Sequence, residues 1–241
     1  MAETPGWLQG RVAIVTGAGR GIGRATAEAM ARAGAHVVLA ARTSTQLDDA
    51  GEAIRKAGGL ATVAVTDVGD GREVDRLFAV AERLGAPTAL VCAAAVLHKV
   101  PLDATTPQIW EETLRINLTG TFLCCRAALG PMVRAGGGRI VNLASLSGIY
   151  ATEKFPGLTA YNVSKYGVVG LTEAIAVEGR PRGITAICIS PGAVDTEMLR
   201  RANPQLKAGL TPARVAELIV SLLDGPIDPA SGANIPLFSN A

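Results

Sequence analysis

Residues 11–32, RVAIVTGAGRGIGRATAEAMAR, constrain the fold of this chain more than any other stretch. Val12-Ala13-Ile14-Val15 is an apolar run too short for a helix and the right length for a strand buried on both faces. It leads into Thr16-Gly17-Ala18-Gly19-Arg20-Gly21-Ile22-Gly23 and then into residues that favour helix. Strand, glycine turn and helix together place backbone N–H groups and a helix N-terminus against a phosphate. The spacing narrows the choice of turn. A P-loop needs Gly-x-x-x-x-Gly-Lys-Ser/Thr, and no Lys follows Gly23. Gly-x-Gly-x-x-Gly fails as well, because Ile22 and Arg24 stand three residues after Gly19 and Gly21. What fits is Gly17-x-x-x-Gly21-x-Gly23.

The same alternation continues along the chain. Gly34 closes the first helix, and apolar strands are expected at His36–Ala41, Leu60–Val65, 88–93, 139–144, 184–189 and near 233–238. Helices are expected over 43–56 with Ser44 or Thr45 near the cap, and over 71–84, 158–178 and 212–222. A longer one is expected over 106–134, opened by Thr106-Pro107 and stopped by Gly136-Gly137-Gly138. Apolar strands alternating with helices imply an α/β fold, a doubly wound parallel sheet of about seven strands in one domain over 1–241. With 241 residues, 49% of them hydrophobic, the chain can build a core of that size.

Bulk properties remove several function classes. A net charge of +2 without a basic run gives no reason to expect nucleic acid. Met1-Ala2-Glu3-Thr4-Pro5 has neither a basic start nor an apolar core, so no secretory signal is expected. No stretch of about 18 apolar residues suggests a membrane span. Cys92, Cys124, Cys125 and Cys188 lie in apolar segments without Cys-x-x-Cys spacing. They read as small buried side chains of a cytoplasmic protein, not as metal ligands or disulfides.

At the end of the second strand a dinucleotide fold chooses its cofactor. A carboxylate there binds the ribose 2′-OH of NAD and repels the 2′-phosphate of NADP. Ala41 and Arg42 stand here, with no acid nearer than Asp48, and Arg20 in the glycine turn adds a second cation. Two solvated arginines are the plainer alternative; their place at both edges of the expected adenosine pocket favours NADP(H) over NAD(H). Asp67-Val68 follows the third strand, where Asp70 is the better helix cap.

Tyr161-Asn162-Val163-Ser164-Lys165 carries the chemistry. Positions i and i+4 share a helix face, so a phenol and an ammonium can converge there. A phenol pKa near 10 makes a poor base, and lowering it by about three units takes roughly 4 kcal/mol. One ammonium at ~4 Å and an effective dielectric near 20 supplies about that. The structural alternative is an aromatic stem beside a snorkelling lysine. Upstream, the fifth strand ends in Asn142-Leu143-Ala144-Ser145-Leu146-Ser147-Gly148, and Asn117 sits mid-helix, where a polar amide is slightly unfavourable. Downstream, the sixth strand ends in Ser190-Pro191-Gly192-Ala193-Val194-Asp195-Thr196.

Glycine turn, Asn117, Ser145, Tyr161/Lys165 and Pro191-Gly192 together resemble the short-chain dehydrogenase/reductases of the single-domain, Rossmann-like kind. Among these the chain is similar to bacterial 3-oxoacyl-carrier-protein reductases and hydroxysteroid dehydrogenases. The resemblance implies hydride transfer between a nicotinamide and a carbonyl or secondary alcohol. It implies that Tyr161 is the acid for reduction and the base for oxidation, and that Ser145 holds the carbonyl oxygen. Lys165 would lower the Tyr161 pKa and bind the nicotinamide ribose, and Asn117 would hold a water in the proton relay. Gly17, Arg20, Gly21, Ile22, Gly23, Arg42, Asp67, Val68 and Ala93 would contact the adenosine and phosphate side, Asp67 through the adenine amino group. Pro191, Gly192, Val194 and Thr196 would lie along the nicotinamide and its phosphates.

Three features depart from the family pattern. Cys92-Ala93-Ala94-Ala95 replaces the usual Asn-Asn-Ala-Gly, so hydrogen bonds from those amides must come from backbone or water. The interval from Ser145 to Tyr161 is about three residues longer, with the extra length at Thr152-Glu153-Lys154. That makes Ser147 an alternative, although Ser145-x-x-Gly148 matches the family better. The tail Pro236-Leu237-Phe238-Ser239-Asn240-Ala241 lacks a glycine pair. Specificity is expected in a lid over 196–211, partly apolar (Met198, Leu199, Leu206, Leu210) and partly basic (Arg200, Arg201, Lys207), with help from Leu97, His98, Ile149, Tyr150 and Phe155. Surplus apolar residues on the helices at 106–134 and 158–178, which pair between subunits in relatives, imply a homotetramer or homodimer. An NAD-preferring alcohol dehydrogenase and a non-catalytic cofactor-sensing protein are the rival readings.

Overall fold

The computed structural model of the chain describes residues 6–152 and 154–239. Expectations placed on residues 1–5, on Glu153 and on Asn240-Ala241 lie outside the described residues. Seven strands form one parallel sheet in the order β3-β2-β1-β4-β5-β6-β7. They are β1 Val12–Thr16, β2 His36–Ala41, β3 Leu60–Val65, β4 Pro87–Cys92, β5 Gly138–Leu143, β6 Ile184–Pro191 and β7 Asn234–Leu237. The doubly wound sheet expected from the alternation is the architecture observed. β6 runs two residues past its expected end because Ser190 and Pro191 still pair with Pro236 and Leu237.

Side chains leave a strand alternately to either face, and here both faces are covered. Ala13 and Val15 pack with Met30 of α1 (Gly21–Arg32), Leu47 of α2 (Ser44–Lys56) and Ile219 of α8 (Pro212–Asp224). Val12 and Ile14 pack on the other side with Leu77 of α3 (Gly71–Glu82), Met132 of α5 (Gly120–Arg134) and Ala176 of α6 (Thr159–Gly179). Asp70 caps α3 by accepting from the Arg72 N–H. α2 opens at Ser44, one residue after the expected start, with Thr43 rather than Ser44 or Thr45 at the cap position and no side-chain cap bond.

The expected long helix divides in three. Thr106 caps α4 (Pro107–Leu114), residues Arg115–Thr119 form a π-helical turn, and α5 follows. Such π turns insert one residue into a helix and concentrate at functional sites. Within Pro107–Arg134, 28 residues long, an 18-residue window of mean hydropathy 1.2 is long and apolar enough to cross a membrane by length and composition alone. Half of that window is buried inside the fold, as in a core helix.

The strand order creates a switch point between β1 and β4, and ligands of doubly wound folds bind at the carboxyl edge there. The register levels that edge, with Thr16 opposite Cys92, Cys92 opposite Asn142 and Leu143 opposite Ile189. Beyond β6, a short helix α7 (Glu197–Ala202) folds inside the expected lid, capped by Thr196 on the Leu199 N–H.

Candidate active site

The glycine turn meets the carboxyl edge between β1 and β4. Gly17 and Gly21 both adopt positive φ, +67° and +56°, where a side chain would be strained. A Cβ on Gly17 would also lie 2.7 Å from the Ala93 carbonyl oxygen, so only glycine lets the turn approach the end of β4. Arg20 occupies the N-cap of α1 without a side-chain cap bond, and no acid stands in the first turn. The positive end of α1 is thus left to an anion. Thr16, the last residue of β1, anchors the stretch Cys92-Ala93-Ala94-Ala95. Its Oγ1 accepts the N–H of Ala93 at 3.2 Å and of Ala94 at 3.3 Å, tying β1 to the chain leaving β4.

The chemical groups converge from β5 and α6. Ser145, extended just beyond β5, caps a short turn by accepting the Ser147 N–H at 3.1 Å. That bond uses the Ser147 backbone N–H to hold the loop, while the Ser145 side chain is near enough to the Tyr161 phenol to lower its pKa. Ser145 and Ser147 both line the cleft. A Cβ on Gly148 would fall 2.5 Å from the Lys165 backbone carbon, so this glycine lets the serine loop seat directly on α6.

Lys165 is 3% exposed, donates through Nζ to the Leu143 carbonyl at 2.8 Å, and lies 5.6 Å from the Tyr161 ring centre. Burial pushes the Tyr161 phenol up to about 12, and the Ser145 hydrogen bond opposes it. Burial pulls the Lys165 ammonium down to about 8. Desolvation, which disfavours both charged forms, therefore outweighs the ammonium–phenol attraction estimated from sequence.

Asn117 stands behind these groups, fully buried in the π turn. Its Oδ1 accepts the Val96 N–H at 2.8 Å, and its Nδ2 donates to the Val96 carbonyl at 2.9 Å and to Ser164 Oγ at 3.0 Å. The amide thus joins α4–α5, the loop after β4 and α6, which is the reason a polar residue sits mid-helix.

Every other expected site residue lines one cleft of about 1150 Å³ along the carboxyl edge. Gly17, Arg20, Gly21, Ile22, Gly23, Arg42, Asp67, Val68 and Ala93 lie along one part of its wall. Ser145, Tyr161, Lys165, Pro191, Gly192, Val194 and Thr196 complete it. Asp67 is held by Arg115 at 3.0 Å through Oδ2 and by the Gly69 N–H at 2.9 Å through Oδ1. Leu97, Ile149, Tyr150, Phe155, Met198, Leu199 and Leu206 line the cleft as expected, with Lys99, Arg201 and Lys207. Three expected contributors are not among the lining residues. Leu210 is held against Ala193 and Asp195 by backbone bonds, Arg200 pairs with Asp195, and His98 lies 3.1 Å from Glu112. The added loop is fastened from within, Thr152 Oγ1 and Lys154 Nζ both donating to the carbonyls of Leu146 and Ile149. The contacts of Thr16 and Ser164 are not marked by sequence spacing; only Thr16, directly before Gly17, carries a visible signal in the pattern.

A family profile described as short chain dehydrogenase matches residues 11–207. The chain is 38% identical over 196 residues to D-threitol dehydrogenase of Mycolicibacterium smegmatis, covering 81% of this chain and 74% of that one. It is 35% identical over 200 residues to a 3-oxoacyl-[acyl-carrier-protein] reductase of Synechocystis, covering 82% and 80%. Among solved structures it matches a provisionally assigned NAD(P)-dependent gluconate 5-dehydrogenase of Beutenbergia cavernae, crystallised with NADP at low occupancy. That match has a TM-score of 0.89 and 31% identity, covering 98% of both chains. The chain belongs to the short-chain dehydrogenase/reductase family. It is an oxidoreductase acting on CH–OH and C=O groups.

Proposed function

We propose that this protein is an NADP(H)-dependent carbonyl reductase, reversible as a secondary alcohol dehydrogenase, that works through Ser145, Tyr161 and Lys165. The observation that carries the reading is the meeting of these three side chains in the cleft that the glycine turn also lines. The residues present fit a dinucleotide. The open N-terminus of α1 with Gly21, Ile22 and Gly23 suits a pyrophosphate, and Asp67 and Val68 suit an adenine. Two of Asp67's interactions are used internally, yet a carboxylate has about four acceptor sites. Arg20 and Arg42 suit a 2′-phosphate, and no carboxylate follows β2 to repel it.

When bound, the nicotinamide supplies or takes up the hydride. The protein's own part is the proton and the oxygen. Tyr161, protonated at neutral pH, gives its proton to the alkoxide oxygen that develops on reduction, while Ser145 donates a hydrogen bond to the same oxygen. An ammonium has three N–H donors, and Lys165 uses one on Leu143, leaving two for ribose hydroxyls and the relay. Asn117 sets the position of α6 relative to the loop after β4. The four free, buried cysteines suit a cytoplasmic setting.

Oxidation of NADPH and NADH with ketones, diketones and 3-oxoacyl thioesters tests the reading, with polyols run in reverse because one relative is a D-threitol dehydrogenase. Turnover preferring NADPH, with the preference reduced in Arg42→Ala, is the expected result. A preference for NADH would overturn the cofactor assignment, and tight NADPH binding without turnover on any substrate would favour a sensor.

A further inference from the structure

Arg20 does not stand free. Its guanidinium is paired with the Glu197 carboxylate, 177 residues away on the first turn of α7. Both side chains line the cleft, so the pair bridges the glycine turn and the lid. The approach is close on the backbone side too, since a Cβ on Gly21 would lie 3.3 Å from the Thr196 methyl. Among the described residues lining the cleft, Asp67 and Glu197 are the carboxylates, and Asp67 is engaged by Arg115. Glu197 is also held by Arg201, while Arg200 turns away to Asp195. The Arg20 guanidinium, first among these arginines, holds the Glu197 carboxyl below the usual carboxylate range. At neutral pH this is therefore a full ion pair.

We infer that Glu197 sets the discrimination between phosphorylated and unphosphorylated dinucleotide by competing with the 2′-phosphate for Arg20. This rests on the reading of Arg20 as a 2′-phosphate ligand. A phosphate dianion and a carboxylate seek the same planar donors of the guanidinium, and each excludes the other by like charge. Every dinucleotide meets the lid, but only the phosphorylated one needs Arg20 released. Glu197 consequently weakens NADP(H) binding while leaving NAD(H) almost untouched, and arrival of the 2′-phosphate frees the first turn of α7 from the glycine turn. The side chains are partly solvated, 48% and 38% exposed, so the competition is modest.

The test is fluorescence titration of the full chain with NADPH and with NADH, which reads binding without turnover. Glu197→Gln is expected to tighten NADPH about two- to fivefold and to leave NADH unchanged. Glu197→Asp should fall between the two, and the gain should vanish in the double variant with Arg20→Ala. Equal shifts for both cofactors would mean only that the lid has been perturbed, and would overturn the proposal. So would weaker NADPH binding in Glu197→Gln. If Arg20→Ala weakens NADPH selectively but Glu197→Gln has no effect, the proposal fails while the cofactor reading stands. If neither Arg20→Ala nor Arg42→Ala affects NADPH selectively, both fail.

Discussion

Lys165 is a buried ammonium, and its titration gives a prediction with a definite sign. The folded pKa of about 8 lies below the ordinary 10.5. Below about pH 8 the lysine is charged in both states, so the cost of burying the charge is fully present. Between about 8 and 10.5 the unfolded chain holds a proton that the folded chain has lost, and stability from this group rises with pH. Lys165→Met, of similar length and uncharged, should make the cofactor-free protein more stable than wild type at pH 7. The upper bound is roughly 3 kcal/mol, at about 1.4 kcal/mol per pH unit. Urea denaturation from pH 6 to pH 10 should show the gap closing as pH rises; a constant gap would count against a buried charge as the cause. Sequence spacing revealed Tyr161 and Lys165 because helical periodicity puts them on one face. It did not reveal that Nζ is spent on Leu143, nor that Thr16 works on residues 77 positions away and Glu197 on one 177 away. Partners that distant are joined by the fold, and no local pattern marks them.

Among the elements, the π turn is the one whose removal should be felt furthest. Asn117→Ala would leave the Val96 N–H and carbonyl and the Ser164 hydroxyl without their amide partner. Each unsatisfied buried group costs about 1–3 kcal/mol, so a loss of roughly 2–4 kcal/mol is expected by urea denaturation. A loss under about 0.5 kcal/mol, the size of an ordinary surface change, would contradict the role assigned to the amide. The seat of the serine loop makes a second prediction. Gly148→Ala forces Ser145 away from α6, and a displacement near 1 Å should lower kcat by up to about a hundredfold. Unchanged steady-state kinetics would show that the loop tolerates the extra atom. Strands were legible as short continuous apolar runs, and long helices through their period of about 3.6. The π turn has no period of its own, and α7, with six residues, is too short to show one.

For the molecule as a whole, the sheet was readable because a doubly covered parallel sheet needs continuous apolar strands, and those runs are plain in the sequence. The surface carries a different message. Phe122 and Val133 on α5, and Val163, Tyr166 and Val177 on α6, are exposed, Val177 at 75%. An apolar face of that extent is expected to be covered by another copy of the chain. Size-exclusion chromatography with light scattering should show a dimer or tetramer, and a monomer at working concentration would contradict this. Fold and chemistry meet at one phenol, where the cleft lined by the glycine turn reaches the end of β5. The rate of NADPH oxidation by Tyr161→Phe, on the best substrate found and at saturating NADPH, should fall at least about a hundredfold below wild type. Turnover at the wild-type rate would show that the proton comes from another group and would contradict the proposed mechanism.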